Sequence, residues 1–309
     1  MAQRSVKRIQ NDIKLYFKSD LNEHGIYVNF NDKNLFNAKA LIIGPDETPY
    51  KNGFYFFDIN YTDKYPQEPP KVLLCTLNKR TRFNPNLYTG GKVCLSILGT
   101  WSGPGWTPCL STCEVLLSIQ SLMNKNPIVN EPGYENLTIQ NSPEARKYIK
   151  LLEFHNHLIA VIQMIDEIPP GFECFKEVIE SKFCEFYKEN LRFIREKVAS
   201  SDCDKEVFLK MYSLQDTLSY KYILEKYKEI YSRLSIIYGD DHPTPHTLSE
   251  EEPVVEVPEV IETTKKKGPE INANDYDLGY VTNSNGRDYI VKEVNGKGGK
   301  KYKKWVLNK

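Results

Sequence analysis

Among the side chains of this 309-residue sequence, Cys94 is the one best placed to do covalent chemistry. It lies in a long irregular stretch, 78–109, rich in Asn, Pro, Gly and Thr, and compact domains keep such loops when they carry a site. A thiol accepts an acyl group and leaves again as a thiolate, which a serine hydroxyl does poorly, so the chemistry on offer is acyl transfer. No histidine falls between His24 and His155. A Cys–His hydrolase pair would need a distant ring brought in by folding, and the missing close base favours a carrier that does not activate water. The quieter reading of any free cysteine is an inert core residue. A bland core or surface reading is taken for Cys75, Cys109, Cys113, Cys174, Cys184 and Cys203, none of which has metal-ligand spacing with a partner. His155 and His157, two apart, point to different helix faces and make a poor metal pair, so no metal site is expected.

These residues need a scaffold, and the periodicities supply one. Residues 4–19 place Val6, Ile9, Ile13 and Phe17 at steps of three and four, which predicts an amphipathic first helix with Arg4, Lys7 and Arg8 on its exposed side. From Gly25 to Leu77 the runs YVNF, LFNAKALIIG, GFYFFDINY and KVLLCTL alternate with Gly, Pro, Asn and Asp, which predicts a four-stranded antiparallel meander. Helical patterns resume at 111–124, where Ser111 or Thr112 can cap and Glu114 can complete a capping box, and again at 143–165 after Pro143. Two more helices are expected at 172–199 and 203–237. The fold class is therefore α/β (α+β), with a helical extension.

Composition sets the outer bounds. Lys plus Arg equals Asp plus Glu at 41 each, with 40% apolar residues, a globular balance that gives no hint of a nucleic-acid or membrane partner for the whole chain. The charged start MAQRSVKRIQND, the lack of an apolar run of membrane length and the odd cysteine count fit a reduced compartment, cytoplasmic or nuclear. Residues 239–264 hold eight Asp or Glu and no Lys or Arg, the composition of an acidic, Pro-rich linker. Residues 265–309 carry eleven Lys or Arg against five Asp or Glu, with β-like runs between Asn-Gly turns. They read as a small basic β module, or a tail that folds on a partner; nucleic acid or an acidic protein surface is the candidate ligand, against the bland alternative of a solvated tail. The expected domains are 1–168, a catalytic unit; 169–238, an extension packed on it; 239–264, the linker; and 265–309, the basic module.

The segment RFNPNLYTGGKVCLSILGTW (82–101), the Trp106-Thr107-Pro108 that follows, and YPQEPPKV (65–72) resemble the active-site motifs of ubiquitin-conjugating enzymes. In that family a His-Pro-Asn tripeptide precedes a G-x-V-C-L-x-I-L run; here the tripeptide is Asn84-Pro85-Asn86, and Asn86 stands eight residues before Cys94. The resemblance covers residues 4–165. It is closer still to the Z subtype, which shares F-N-P-N, K-V-C-L-S-I-L-G-T-W, N-P-x-x-N-E-P-G (here 126–133) and a helical part like FHNHLIAVIQMI (154–165).

That resemblance implies a conjugating fold, a thioester on Cys94 and transfer to a lysine amine or a ligase. It implies as partners ubiquitin or a ubiquitin-like protein, an activating enzyme, protein substrates and a ligase. No cofactor is implied for the chain itself: ATP is used by the activating enzyme, and no phosphate-cradling Gly loop appears here. By the same precedent Asn86 stabilises the oxyanion or supports the loop, Glu131 is an acidic gate for the incoming lysine, and Arg4, Lys7 and Arg8 meet the activating enzyme. An oxyanion donor is typically worth about 2.7–4 kcal/mol. The departures are informative. Asn84 replaces a loop-bracing His, as in the Z subtype. Four extra residues between Cys94 and the Trp-x-Pro form a loop, LGTWSGPGW, in which Trp101 is a candidate wall of the site and Trp106 a packing residue. Gln67 stands where most relatives present a hydrophobic residue to ligases, while Pro108 matches. Asn86 also has a bland reading as a turn residue, and Glu131 as a solvated acid before a turn. Two rivals stay open: a catalytically silent docking module, and a cysteine hydrolase with a remote His. The carrier and hydrolase readings, in which Cys94 reacts, need its sulfur to be reachable.

Overall fold

The computed structural model describes residues 2–238, and the backbone of three strands beyond them; each of the two compact units is taken by itself. The acidic segment 239–264 and the Asn285-Gly286 turn lie outside the described residues, as does Gly296 of the second Asn-Gly pair. In the first unit the order is α1 (Ala2–Phe17), β1 (Ile26–Phe30), β2 (Asn37–Ile43), β3 (Phe54–Asn60), β4 (Lys71–Leu74), α2 (Thr112–Leu122), α3 (Pro143–His155), a π-helical stretch Asn156–Gln163, a last turn α4 (Met164–Asp166), α5 (Lys176–Ala199), β5 (Glu206–Leu209), β6 (Leu214–Thr217) and α6 (Tyr220–Tyr238). The second unit is a three-stranded antiparallel sheet, β7 (Val281–Ser284), β8 (Arg287–Asn295) and β9 (Lys301–Leu307), paired in that order.

The first four strands form the antiparallel meander the periodicity predicts, in the order β1-β2-β3-β4. β3 is the clearest case of sequence dictating position. Phe54, Tyr55, Phe56 and Phe57 are all fully buried, and a strand apolar on both faces must be covered on both. Tyr55 meets Phe83 edge-on at 5.3 Å, while Phe56 lies 5.1 Å from Phe172 and 6.1 Å from Phe175, so the segment leading into α5 covers the face that bears Phe56. Full burial of a Phe side chain is worth about 1.5–3 kcal/mol, enough to make that docking a structural requirement.

α2 starts as predicted, with the Ser111–Glu114 capping box in place. The phase of α1 differs from prediction. Its buried line runs Ser5, Ile9, Asp12 and Tyr16, while Phe17 is 63% exposed. The reason is polar: fully buried Asp12 accepts from Arg8 Nε (2.7 Å), the Tyr65 hydroxyl, and both the backbone N–H and hydroxyl of Thr112 (3.0 Å each). Four donors compensate the burial of a carboxylate, which would otherwise be prohibitive. They also fasten α1 to the start of α2.

The region after Pro169 differs too. α5 forms, but the helix expected over 203–237 starts only at Tyr220; residues 206–217 make a hairpin, Glu206↔Thr217 to Leu209↔Leu214, closed by a 3-10 turn Lys210–Tyr212 and Ser213 in the left-handed region at φ 49°. EVFL and LQDT bury Leu209 and Leu214, the pair nearest the turn, and a short two-sided packing demand of this kind overrides helical spacing. α5 and α6 then pack along an aromatic seam in which Tyr187 and Tyr231 stack at 3.7 Å.

Candidate active site

Cys94 sits on a strand-like segment that the chain folds back on itself to make. Isolated bridges join Leu87 to Val93 and Lys92 to Leu73, so the tripeptide loop, the cysteine segment and β4 lie side by side. Gly91 makes the approach possible. Its φ is +88°, and a Cβ there would stand 2.7 Å from the Leu74 carbonyl oxygen, whose residue donates its N–H to Gly91 O at 2.8 Å.

Asn86 holds Cys94 by both ends of its backbone. The Cys94 N–H donates to Asn86 O (2.8 Å), and Asn86 Nδ2 donates to Cys94 O (2.7 Å). Asn86 is 5% exposed, and its Oδ1 is buried with no hydrogen-bond partner among the described residues. One Nδ2 hydrogen is engaged, which leaves the second for a ligand oxygen.

Asn84 is fully buried and braces the loop with four bonds. Its Nδ2 donates to Leu122 O (2.7 Å) and to the Tyr50 hydroxyl (3.0 Å); its Oδ1 accepts from the Asn86 N–H (3.0 Å) and from Asn130 Nδ2 (3.2 Å). The tripeptide is therefore tied to the end of α2 and to the turn before Glu131. Pro85 is buried, and its carbonyl accepts from Arg82 Nη2 at 2.6 Å.

The sulfur itself is covered: Cys94, a free cysteine, is 1% exposed. This corrects the expectation of a reachable thiol. The inserted loop is bound against the segment on both sides of it, since Thr100 Oγ1 donates to Val93 O (2.7 Å) and accepts from the Leu95 N–H (2.9 Å). A Cβ on Gly103, in the same loop, would meet Ser96 Cβ at 3.1 Å. Trp101 on that loop is 37% exposed, so it stands at the surface, while Trp106 is half-buried, with its Nε1 on Pro66 O at 2.6 Å and its ring 5.8 Å from Tyr65.

Glu131 ends the 3-10 turn Pro127–Asn130, half-buried, and its Oε2 accepts from the Tyr212 hydroxyl at 2.7 Å. Burial, reinforced by Glu131, raises the Tyr212 pKa. Sequence reasoning missed Tyr212 and Arg82. Arg82 opens the quoted motif, and its guanidinium lies 3.7 Å from the Tyr88 ring centre and 4.8 Å from that of Tyr212; no local pattern marks Tyr212, which stands in the turn of a hairpin.

The expected docking residues separate into two groups. Arg4 and Lys7 are exposed on α1, and Gln67 and Pro108 are exposed on their loops. Arg8 is not a solvated contact: only 17% of its side chain is exposed, and it donates to Asp12, Pro108 O and Leu110 O. Burial alone would lower its pKa; the bond to Asp12 and the negative charge of Asp12 and Glu114 together outweigh that and raise it. His155 and His157 are both buried, engaged with Thr81 and Asp216 in the one case and Tyr227 in the other. Among the described residues no cluster of three His, Cys, Asp or Glu could hold a metal ion, and no helix is long and apolar enough to cross a membrane.

Comparison with known proteins agrees with this geometry. The sequence profile of the ubiquitin-conjugating enzyme family matches residues 8–155. The chain is 36% identical to the ubiquitin-conjugating enzyme E2 Z of Xenopus tropicalis over 234 residues, 75% of this chain and 71% of that protein. It is 40% identical to the protein of the same name from Homo sapiens over 187 residues, 60% of this chain and 52% of that one, so it spans about half the length of the human relative. A probable ubiquitin-conjugating enzyme, protein 17, of Caenorhabditis elegans is 43% identical over 164 residues, 51% of this chain and 22% of that protein. A four-stranded meander flanked by α1 and α2, an Asn-Pro-Asn loop clamped to a cysteine, and this degree of identity place the chain in the ubiquitin-conjugating enzyme family, in its Z subtype.

Proposed function

We propose that Cys94 accepts the C-terminal acyl group of ubiquitin, or of a ubiquitin-like protein, from an activating enzyme and passes it to a lysine amine or to a ligase. The observation that carries this reading is the reciprocal pair of hydrogen bonds between Asn86 and Cys94, which fixes a side-chain amide beside the carbonyl of the candidate nucleophile. In the first step Cys94 gives its thiol proton to solvent and attacks the partner's thioester carbonyl as a thiolate; the partner's C–S bond breaks, and its sulfur leaves as a thiolate that takes up a proton. In the second, the lysine nitrogen attacks, charge builds on the carbonyl oxygen, the spare hydrogen of Asn86 Nδ2 meets it, and Cys94 leaves as a thiolate. Glu131 serves as the carboxylate that aligns the incoming lysine; the ammonium gives one proton to solvent before its neutral nitrogen attacks, and the proton shed as the amide forms is taken up by the departing Cys94 thiolate. ATP is consumed by the activating enzyme. On this reading 1–168 is the conjugating unit and 169–238 an extension packed on it, and the protein works in the cytoplasm or nucleus.

Loading requires Cys94 to be uncovered, and the 1% exposure of that residue favours a second reading, a docking module that binds ubiquitin without reacting. The hydrolase reading is the weakest: both ring nitrogens of His155 are engaged by Thr81 and Asp216, and Nδ1 of buried His157 by Tyr227. Incubation with activating enzyme, ATP and ubiquitin separates the three. The carrier gives an adduct that reductant cleaves and Cys94→Ala abolishes; a docking module gives none; a hydrolase consumes conjugates.

A further inference from the structure

Of three consecutive residues just before the Asn-Pro-Asn loop, Arg80 and Arg82 touch the β5–β6 hairpin and Thr81 is linked to it through His155. Arg80 Nη2 donates to Gln215 O at 2.9 Å. Thr81 Oγ1 meets His155 Nδ1 at 3.2 Å, and the opposite ring nitrogen of that buried histidine meets Asp216 at 3.1 Å. The guanidinium of Arg82 lies over the Tyr212 ring, and the same group holds Pro85 O. From the turn of the hairpin, Tyr212 also donates to Glu131. Arg82 is pinned from behind as well, its carbonyl accepting from the Tyr148 hydroxyl at 2.8 Å, with the Tyr148 ring edge-on to Tyr212 at 5.5 Å.

We propose that the β5–β6 hairpin is a positioning device for the transfer step, in which Tyr212 sets two things at once: the carboxylate of Glu131, through its hydroxyl, and the Asn84-Pro85-Asn86 loop, through its ring on Arg82. The inference rests on the thioester reading above. Its physical basis is the division of labour within one side chain. A hydroxyl that donates to a half-buried carboxylate fixes where that charge sits, and such a charge-assisted bond is directional. The ring does a separate job. It and the nearer Tyr88 ring flank a guanidinium whose Nε is buried without an acceptor among the described residues, so cation–π attraction from both rings aims the Nη2 bond that Arg82 gives to Pro85 O. The backbone of the turn favours this placement: Ser213 takes a left-handed conformation that costs a non-glycine residue something, and its structural effect is to close the turn directly after Tyr212.

Tyr212→Phe and Tyr212→Ala separate the two jobs. The full chain is charged on Cys94 with activating enzyme, ATP and ubiquitin, charging is stopped, and discharge is followed over a range of free lysine. Both variants load within about twofold of the parent. The Phe variant, which keeps the ring and loses the bond to Glu131, needs about tenfold more lysine for half-maximal discharge at an unchanged maximal rate, the loss of one hydrogen bond to a charged group. The Ala variant also loses one of the two rings that flank Arg82, and its maximal rate falls about threefold or more below that of the Phe variant. Should Ala fail to fold, the Phe variant alone decides. Normal loading with parental discharge in the Phe variant overturns the proposal, and so does an equal fall in loading and discharge, which marks a general scaffold role. A parent that forms no adduct at all overturns the thioester reading instead, and this one with it.

Discussion

Asn84→Ala tests whether the loop beside Cys94 is held by side-chain hydrogen bonding. The substitution removes a carboxamide that is fully buried and fully used. The losses are unequal. The Asn86 N–H is left buried without Asn84 Oδ1, a desolvation cost of about 1–3 kcal/mol. Leu122 O keeps Asn130 Nδ2 at 3.2 Å, and the Tyr50 hydroxyl keeps its own donation to Phe83 O at 2.6 Å, so each of these loses only the net worth of a bond, about 0.5–1.5 kcal/mol. The total is about 4 kcal/mol, against a usual domain stability of about 5–15 kcal/mol. In a thermal melt of the full chain this lowers Tm by about 8–16 °C at the usual 2–4 °C per kcal/mol for units of this size. Asn84→Asp falls at least as far. It keeps the shape but turns an acceptor toward Leu122 O at 2.7 Å and buries a charge. A melt within 3 °C of the parent for both variants would refute the bracing role and leave Asn84 as a residue that merely fits.

Two further outcomes follow from other contacts. Thr100→Val removes the hydroxyl that binds the inserted loop to Val93 and Leu95, and alkylation of Cys94, read peptide by peptide by mass spectrometry, accelerates about tenfold; an unchanged rate means that something other than this loop covers the thiol. His157 is buried, and burial, with Lys197 nearby, pushes its pKa down to about 3, whereas the unfolded chain binds a proton there below about pH 6.5. Its contribution is thus fully present above pH 6.5 and is lost as pH falls toward 3, by about 1.4 kcal/mol per pH unit. Denaturation at pH 7.5 and 5.0 shows the parent losing about 2 kcal/mol more than His157→Gln, and equal losses would contradict that sign.

What could be read from the sequence was what local pattern encodes. Four apolar residues in a row at 54–57 announce a strand covered on both faces, and Ser111 with Glu114 announces the start of α2. The phase of α1 was not legible, because an Asp at position 12 belongs on the outside by every hydropathy rule; it is inside only because Tyr65 and Thr112, 53 and 100 positions away, supply its donors. Arg8 moved with it from the solvated face to a brace for the 108–110 loop. The hairpin 206–217 was hidden for a related reason. Its apolar residues are too few to show a period of two, and its partners, Arg80, Arg82 and Glu131, lie far upstream. Motif spacing located Cys94, Asn86 and Asn84 on one loop, but the exposure of a sulfur depends on how an inserted segment folds back, which no spacing records.

A carrier of an acyl thioester faces opposed demands, since the bond must be sheltered from water and yet open to a lysine. The residues around Cys94 divide along that line. Asn84, Asn86 and Arg82 are bound to backbone carbonyls of Leu122, Cys94 and Pro85, contacts that cost energy to break and so fix the Asn86 amide on the cysteine backbone. The loop 99–105 is different in kind. It is mostly exposed, contains three glycines, and is joined to the cysteine segment through its first two residues, by the Gly99 N–H on Ser96 O (2.9 Å) and by the Thr100 N–H and hydroxyl on Leu95 and Val93. Few buried contacts, with polar anchors confined to one end, are the marks of a segment that opens at low cost. On the proposed function, then, the burial of Cys94 belongs to the mobile half of the site and the placement of Asn86 to the fixed half, and loosening the first should speed loading while loosening the second should slow only transfer.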